Sequence, residues 1–221
     1  MTEGDLKEFL EGFGLPAQSP QQDFLIRYYR LLLQWGSRIN LTGSTEWSRL
    51  KPLFEEALWA GALYPASAQR HLDIGSGAGF PALIIRILRS GAHLDLVEAR
   101  GKRAAFLETV LAELQLSGVV VHNLRLEEFL RKSSAEGRWS IVSWKGVRLN
   151  GRELSLIRAH GLPATQLWLF HGRRLPVESP ATFLRFVRLI ERFRCPYRES
   201  SYVSVFEFVG AALCGRPCGQ E

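Results

Sequence analysis

The spacing of apolar positions changes once along the chain. Up to about residue 65 it follows the helical period. In "SPQQDFLIRYYRLLLQWGSRINLTG", Phe24, Tyr28, Leu32, Trp35 and Ile39 recur at three- and four-residue spacing, which places them on one helical face. Ser19 ahead of Pro20 suits an N-cap with proline in the first turn. A short amphipathic segment with a glycine stop, "DLKEFLEGFG", precedes it. A third helix is predicted over "EWSRLKPLFEEALWAGAL", where Pro52 is compatible only with a position near the start or with a kink.

After Pro65 strand-like and helix-like segments alternate. "RHLDIG", "HLDLVEA", "GVVVHN", "RWSIVSW" and "ATQLWLFHG" read as strands. Between them "PALIIRILRS", "KRAAFLETVLAELQL", "LEEFLRKS" and "NGRELSLIRAHG" read as helices, the second burying Phe106, Val110 and Leu114. "RLIERFRCPY" and "SYVSVFEFVG" close the chain as a hairpin. This pattern predicts an α/β fold: a doubly wound, mostly parallel sheet with one antiparallel strand near the C-terminus, behind a helical N-terminal extension. The expected boundaries are 1–65 for the extension, 66–210 for the α/β domain and 211–221 for a disordered tail.

The first βα loop is "DIGSGAGFP". Gly75, Gly77 and Gly79 allow a ligand close to the backbone, and the next helix points amide donors at it. A phosphate-binding P-loop would need a lysine after the last glycine, and none follows. The dinucleotide fingerprint would need a glycine where Phe80 stands. Asp73 precedes the loop, and Glu98 ends the second strand, where an acid can accept hydrogen bonds from ribose hydroxyls. This set suits a cofactor with a ribose and an amino-acid moiety but no pyrophosphate, namely S-adenosylmethionine. Leu126 and Glu127, after the third strand, are candidates for contact with its adenine.

Charge and composition add the partner class. The net charge is +6, compatible with a polyanion such as nucleic acid. Arg100, Lys102 and Arg103 follow the second strand near the ligand edge of the sheet and are candidates for phosphate contacts. No apolar run approaches the length of a membrane span, and the start of the chain lacks the pattern of a signal peptide, so a cytoplasmic location and no membrane partner are expected. Cys195, Cys214 and Cys218 read as free thiols. His71, His93, His122 and His160 are scattered, read as surface or strand-end positions and show no metal-ligand spacing, so no metal is expected.

"QWGSRINLTG", "DIGSGAGFP", "GKRAAFL" and "LEEF" together resemble the ribosomal RNA small subunit methyltransferase G family, also called glucose-inhibited division protein B. The resemblance runs from about residue 25 to about residue 209. It implies a class I methyltransferase fold, S-adenosylmethionine as donor, and N7 of a guanine in small-subunit ribosomal RNA, free or in the 30S particle, as acceptor. Carried over by residue, the donor contacts it implies are Gly75, Phe80, Leu126 and Glu127. Three positions depart from the family. "SWKG" stands where Ser-Arg-Ala is usual, so Trp144 replaces an arginine. His171-Gly172 replaces Lys-Gly, and "PLFEEAL" lacks the family's N-terminal histidine. Trp144, Lys145 and Arg148 are therefore the acceptor-side candidates, with packing favoured over base stacking for Trp144.

Guanine N7 carries a free lone pair, so its methylation needs alignment and no general base. A monomer is expected. Two alternatives stay open at this point: a donor-binding protein with weakened catalysis that binds RNA or assists ribosome assembly, and a methyltransferase with another substrate.

Overall fold

The computed structural model describes residues 2–133, 139–177 and 180–209. The predicted tail, with Cys214 and Cys218, lies outside the described residues. Three helices come first: α1 (Glu3–Gly12), α2 (Pro20–Gly36) and α3 (Trp47–Leu63). The alternating part follows as β1 (Arg70–Ile74), α4 (Ala82–Leu88), β2 (His93–Val97), α5 (Gly101–Leu114), β3 (Val119–His122), α6 (Leu126–Lys132), β4 (Ile141–Lys145), α7 (Gly151–His160) and β5 (Gln166–His171). A short helix, α8 (Pro180–Phe183), leads to β6 (Val187–Arg194) and β7 (Tyr202–Phe208).

The seven strands lie in the order β3-β2-β1-β4-β5-β7-β6. β1 to β5 are parallel, and β7 runs antiparallel to both of its neighbours, β5 and β6. The closing hairpin therefore supplies one antiparallel strand, as its alternation predicts. The strand order reverses between β1 and β4. In doubly wound sheets that switch point opens a crevice at the carboxyl ends of the strands, and the glycine loop follows β1.

Helices cover both faces. α2 to α5 share one core with the sheet, through Tyr28, Leu32, Phe54, Ile84, Leu96 and Phe106. α6 and α7 cover the other face, around Phe129, Trp144, Leu154 and Ile157. The N-terminal helices are thus one wall of the switch-point crevice. Ser19 caps α2, its Oγ accepting from the Gln22 N–H at 3.2 Å. The buried stripe of α2 is centred on Leu25, Tyr28, Tyr29 and Leu32. Phe24 and Trp35 lie half-buried at its margin, and Ile39 falls beyond the helix end. Pro52 sits in the second turn of α3, near its start.

One expectation is corrected. His71 is buried in the sheet rather than placed at the surface. Two partners make that burial tolerable: its Nε2 meets Ser143 Oγ at 2.8 Å, and its ring lies against Tyr64, centroids 5.6 Å apart.

Candidate active site

The crevice is built around Glu98, the buried residue just past β2. Its Oε2 accepts from the Gly77 N–H at 2.8 Å, and its Oε1 accepts from the Arg100 N–H at 2.8 Å. One carboxylate thus holds the glycine loop and the start of α5 together. Asn123, past β3, adds a third tie by donating Nδ2–H to the Glu98 carbonyl at 2.9 Å. Each carboxylate oxygen has two acceptor positions, so a lone pair on each remains for a ligand diol.

Gly75 and Gly77 have positive φ, +71° and +59°, where side chains are strained. They differ in surroundings. A Cβ on Gly75 would lie 2.4 Å from Val147 Cγ2, in the β4–α7 loop. A Cβ on Gly77 would meet no protein atom closer than 3.7 Å. At Gly77, beside Glu98, a side chain would make only ordinary contacts, with Arg103 and the Gly75 carbonyl, so the loop is uncrowded there and forms a cradle that a side chain would narrow. These features fit the ribose of S-adenosylmethionine.

Asp73, buried in β1, lies opposite Ser143 of β4 in register. Ser143 Oγ donates to Asp73 Oδ1 at 2.5 Å. Burial pushes the Asp73 carboxyl up to about 6 despite this bond, and the neighbouring Glu98 charge adds to the rise. Burial likewise holds His71 down at about 3, so the ring is neutral. On the other face Asp95 accepts from Trp139 Nε1 at 2.9 Å and meets His122 Nε2 at 2.9 Å. Burial raises its carboxyl, but these partners outweigh that and leave it below the usual range.

The N-terminal helices brace the loop. Tyr28 donates its hydroxyl to the Ala78 carbonyl at 2.7 Å. The Phe80 ring turns into the same core, its centroid 5.1 Å from that of Phe54 and 5.7 Å from that of Tyr28. Arg103 donates to the Asn40 carbonyl at 3.1 Å, which ties α5 to the loop after α2. Residues 36–45 of that loop enclose a cavity of about 370 Å³. Arg100 and Lys102 are exposed, whereas Arg103 is half-buried. Leu126 and Glu127 open α6, with Leu126 buried and Glu127 half-buried.

The acceptor-side candidates separate. Trp144 is buried on the α6–α7 face, and its Nε1–H has no hydrogen-bond partner. Lys145, the next residue, reaches α3 instead and pairs with the buried carboxylate of Glu56. Arg148 is exposed in the β4–α7 loop. His171, at the end of β5, is bound through Nε2 to Ser204 Oγ at 2.8 Å. Lys145, His171 and Glu56 line one cleft of about 300 Å³, and Trp144 does not.

Sequence reasoning missed Glu56, Ser143, Asn123 and Tyr28. Only Glu56 left a usable trace: it stands where the family's N-terminal motif falls. Among the described residues no group of three potential metal ligands occurs. No described helix is long and apolar enough to cross a membrane.

Comparisons with known proteins give the family and the fold. A family model described as rRNA small subunit methyltransferase G matches residues 21–148. The chain is 36% identical over 184 residues to ribosomal RNA small subunit methyltransferase G 1 of Syntrophobacter fumaroxidans, covering 80% of this chain and 82% of that protein. It is 32% identical over 170 residues to ribosomal RNA small subunit methyltransferase G of Wolinella succinogenes, covering 77% and 85%. Among solved structures, a mutant of MtNAS in complex with S-adenosylmethionine matches with a TM-score of 0.57 at 15% identity, covering 94% of this chain and 84% of that one. The mitomycin 7-O-methyltransferase MmcR matches with a TM-score of 0.54 at 14% identity, covering 90% and 75%. At these identities the structural matches speak for the fold.

Proposed function

The chain belongs to the rRNA small subunit methyltransferase G family, and on that footing we propose that it methylates N7 of a guanine in small-subunit ribosomal RNA, with S-adenosylmethionine as donor. The observation that carries this reading is the Glu98 carboxylate, held by the Gly77 and Arg100 amides with a lone pair left on each oxygen. In this reading Glu98 accepts the ribose hydroxyls. Asp73, Gly75, Gly77 and Gly79 surround the amino-acid moiety, and Leu126 and Glu127 border the adenine. Phe80 contributes through its main chain, since its ring is committed to the core.

When bound, S-adenosylmethionine supplies a methyl group on a positively charged sulfur. The chain's part is to hold the guanine with its N7 lone pair in line with that methyl. Such positioning can lower the barrier by up to about 7–11 kcal/mol. No residue has to remove a proton, because N7 has none to lose before attack. The base must leave any stack to enter the crevice, which favours a looped or splayed RNA segment. Arg100 and Lys102, exposed at the rim, meet phosphates, and Arg103 orders the loop after α2 beside them. The same reading has the protein acting as a monomer on the small ribosomal particle in the cytoplasm.

The test is mass mapping of 7-methylguanosine in small-subunit RNA from cells with and without the gene. A modified guanine that disappears with the gene and returns when it is restored supports the proposal. An unchanged map removes it.

A further inference from the structure

The cleft at the carboxyl ends of β4 and β5 has a chemistry that the donor site does not use. It adjoins the glycine loop by register: Ile74, just before Gly75, pairs with Trp144, and Lys145 pairs with Phe170. Glu56 of α3 is buried in its wall. The two Glu56 oxygens are already engaged. Lys145 Nζ donates to Oε1, Ser201 Oγ donates to Oε2, and Arg198 Nη1 lies 3.9 Å from Oε2. The Lys145 side chain stays 27% exposed and is one of the residues that line the cleft. An ammonium has three N–H donors, and Glu56 takes one. The cleft therefore offers a donor in Lys145, and each Glu56 oxygen already holds one bond from the protein.

Among nucleobase edges, this favours one with acceptors. The N7/O6 edge of guanine presents two acceptors, whereas adenine presents an amino donor beside N7. If Lys145 donates to O6, N7 is left free to react. The ion pair has a second consequence. Methylation makes the base cationic, and a bare ammonium at O6 would oppose that charge. Glu56 offsets it, so the lysine can mark the base with less penalty on the reaction.

We propose that Lys145 reads O6 of the acceptor guanine and that Glu56 is its positioning residue, holding the ammonium and neutralising it. This rests on the methyl-transfer reading above. Lys145 occupies the position beside Trp144, so a neighbouring residue on the opposite face supplies a cation that the buried tryptophan cannot.

The test uses the full chain and small ribosomal particles from cells lacking the gene. Lys145→Met should lower kcat/KM for 7-methylguanosine formation about ten- to a hundredfold, the size of one hydrogen bond from a charged group, and Lys145→Arg should recover part of it. S-adenosylmethionine affinity, measured by calorimetry, should stay at the parental value. Because Lys145→Met leaves Glu56 buried with fewer partners, the double variant Lys145→Met/Glu56→Gln is measured beside it and should show the same drop. Glu56→Gln alone should lower kcat with KM unchanged, a split that a merely structural role would not produce. A folded Lys145→Met or double variant with parental kcat/KM overturns the inference while leaving methyl transfer standing. Loss of donor affinity in both variants overturns it too, since the cleft would then belong to the donor site. A parent that forms no 7-methylguanosine overturns both readings.

Discussion

Ser143 donates its hydroxyl to Asp73 across the β1–β4 pair, at 2.5 Å and in direct register. With that proton committed, His71 Nε2 is the donor in its 2.8 Å contact with Ser143. The row ends on a carboxyl that burial holds up at about 6, against an ordinary value of 3.8. The folded state therefore binds this proton more tightly than the unfolded chain. The cost of ionising Asp73 is absent at low pH, grows as pH rises from about 4 to about 6, and is full above that. Asp73→Asn keeps the acceptor and removes the charge. It should be more stable than the parent by about 2–3 kcal/mol at neutral pH, with the difference vanishing below about pH 4. Urea denaturation across pH measures this. A constant difference would mean that Asp73 does not titrate as its burial requires.

Gly75 and Gly77 should separate fold from ligand. Gly75→Ala meets Val147 as well as an unfavourable φ, so it should destabilise the fold. Gly77→Ala meets nothing closer than 3.7 Å and suffers mainly from its positive φ, which costs about 1–2 kcal/mol. Its larger effect should be on S-adenosylmethionine affinity, because the methyl enters the proposed ribose cradle. Thermal unfolding and calorimetry on the two variants decide the matter. Equal donor affinity in Gly77→Ala and the parent would remove the cradle from the site.

Arg100 and Lys102 are exposed, while Arg103 is tied to Asn40. Charge reversal at the first two should weaken binding to small-subunit RNA and flatten its salt dependence. The log–log slope should fall by about 0.7–0.9 for each phosphate that is no longer neutralised. Donor affinity should not change. Arg103→Glu should instead disturb the loop after α2, so its weaker RNA binding should come with lower stability. Parental slopes in Arg100→Glu and Lys102→Glu would make these side chains a solvated rim.

The architecture was legible because strands and helices carry different periods, and the acid at the end of β2 stood out beside three glycines. What stayed hidden depends on direction. Glu56 falls in the predicted third helix, where nothing in the helical spacing marks it as buried. Only the packing of α3 against the strand ends buries it. Lys145 and Trp144 are adjacent letters, and only the pleat sends one to α3 and the other to α7. His71 is second in β1 and reads as a strand-end residue until Ser143, from β4, and Tyr64 close over it. Phe80 was legible as part of a motif, but its ring serves the N-terminal helices.

Trp144 is where family pattern and structure meet most directly. From sequence, restoring the family's arginine at this position would be expected to restore an acceptor contact. The structure argues otherwise. Trp144 is buried among Leu154, Ile157 and their neighbours, away from the cleft that Lys145 lines. An arginine there would carry an unpaired charge into the core, at a cost of about 3–5 kcal/mol. Trp144→Arg should therefore unfold at much lower denaturant and gain no methylation activity. Trp144→Phe should be far milder. It loses some packing volume but removes an indole N–H that has no partner, and an unsatisfied buried donor itself costs about 1–3 kcal/mol. Denaturation midpoints for the two variants, with 7-methylguanosine formation measured on whatever remains folded, distinguish the cases. A stable Trp144→Arg with raised activity would show that position 144 can reach the acceptor after all, and that the face assigned to it here is wrong.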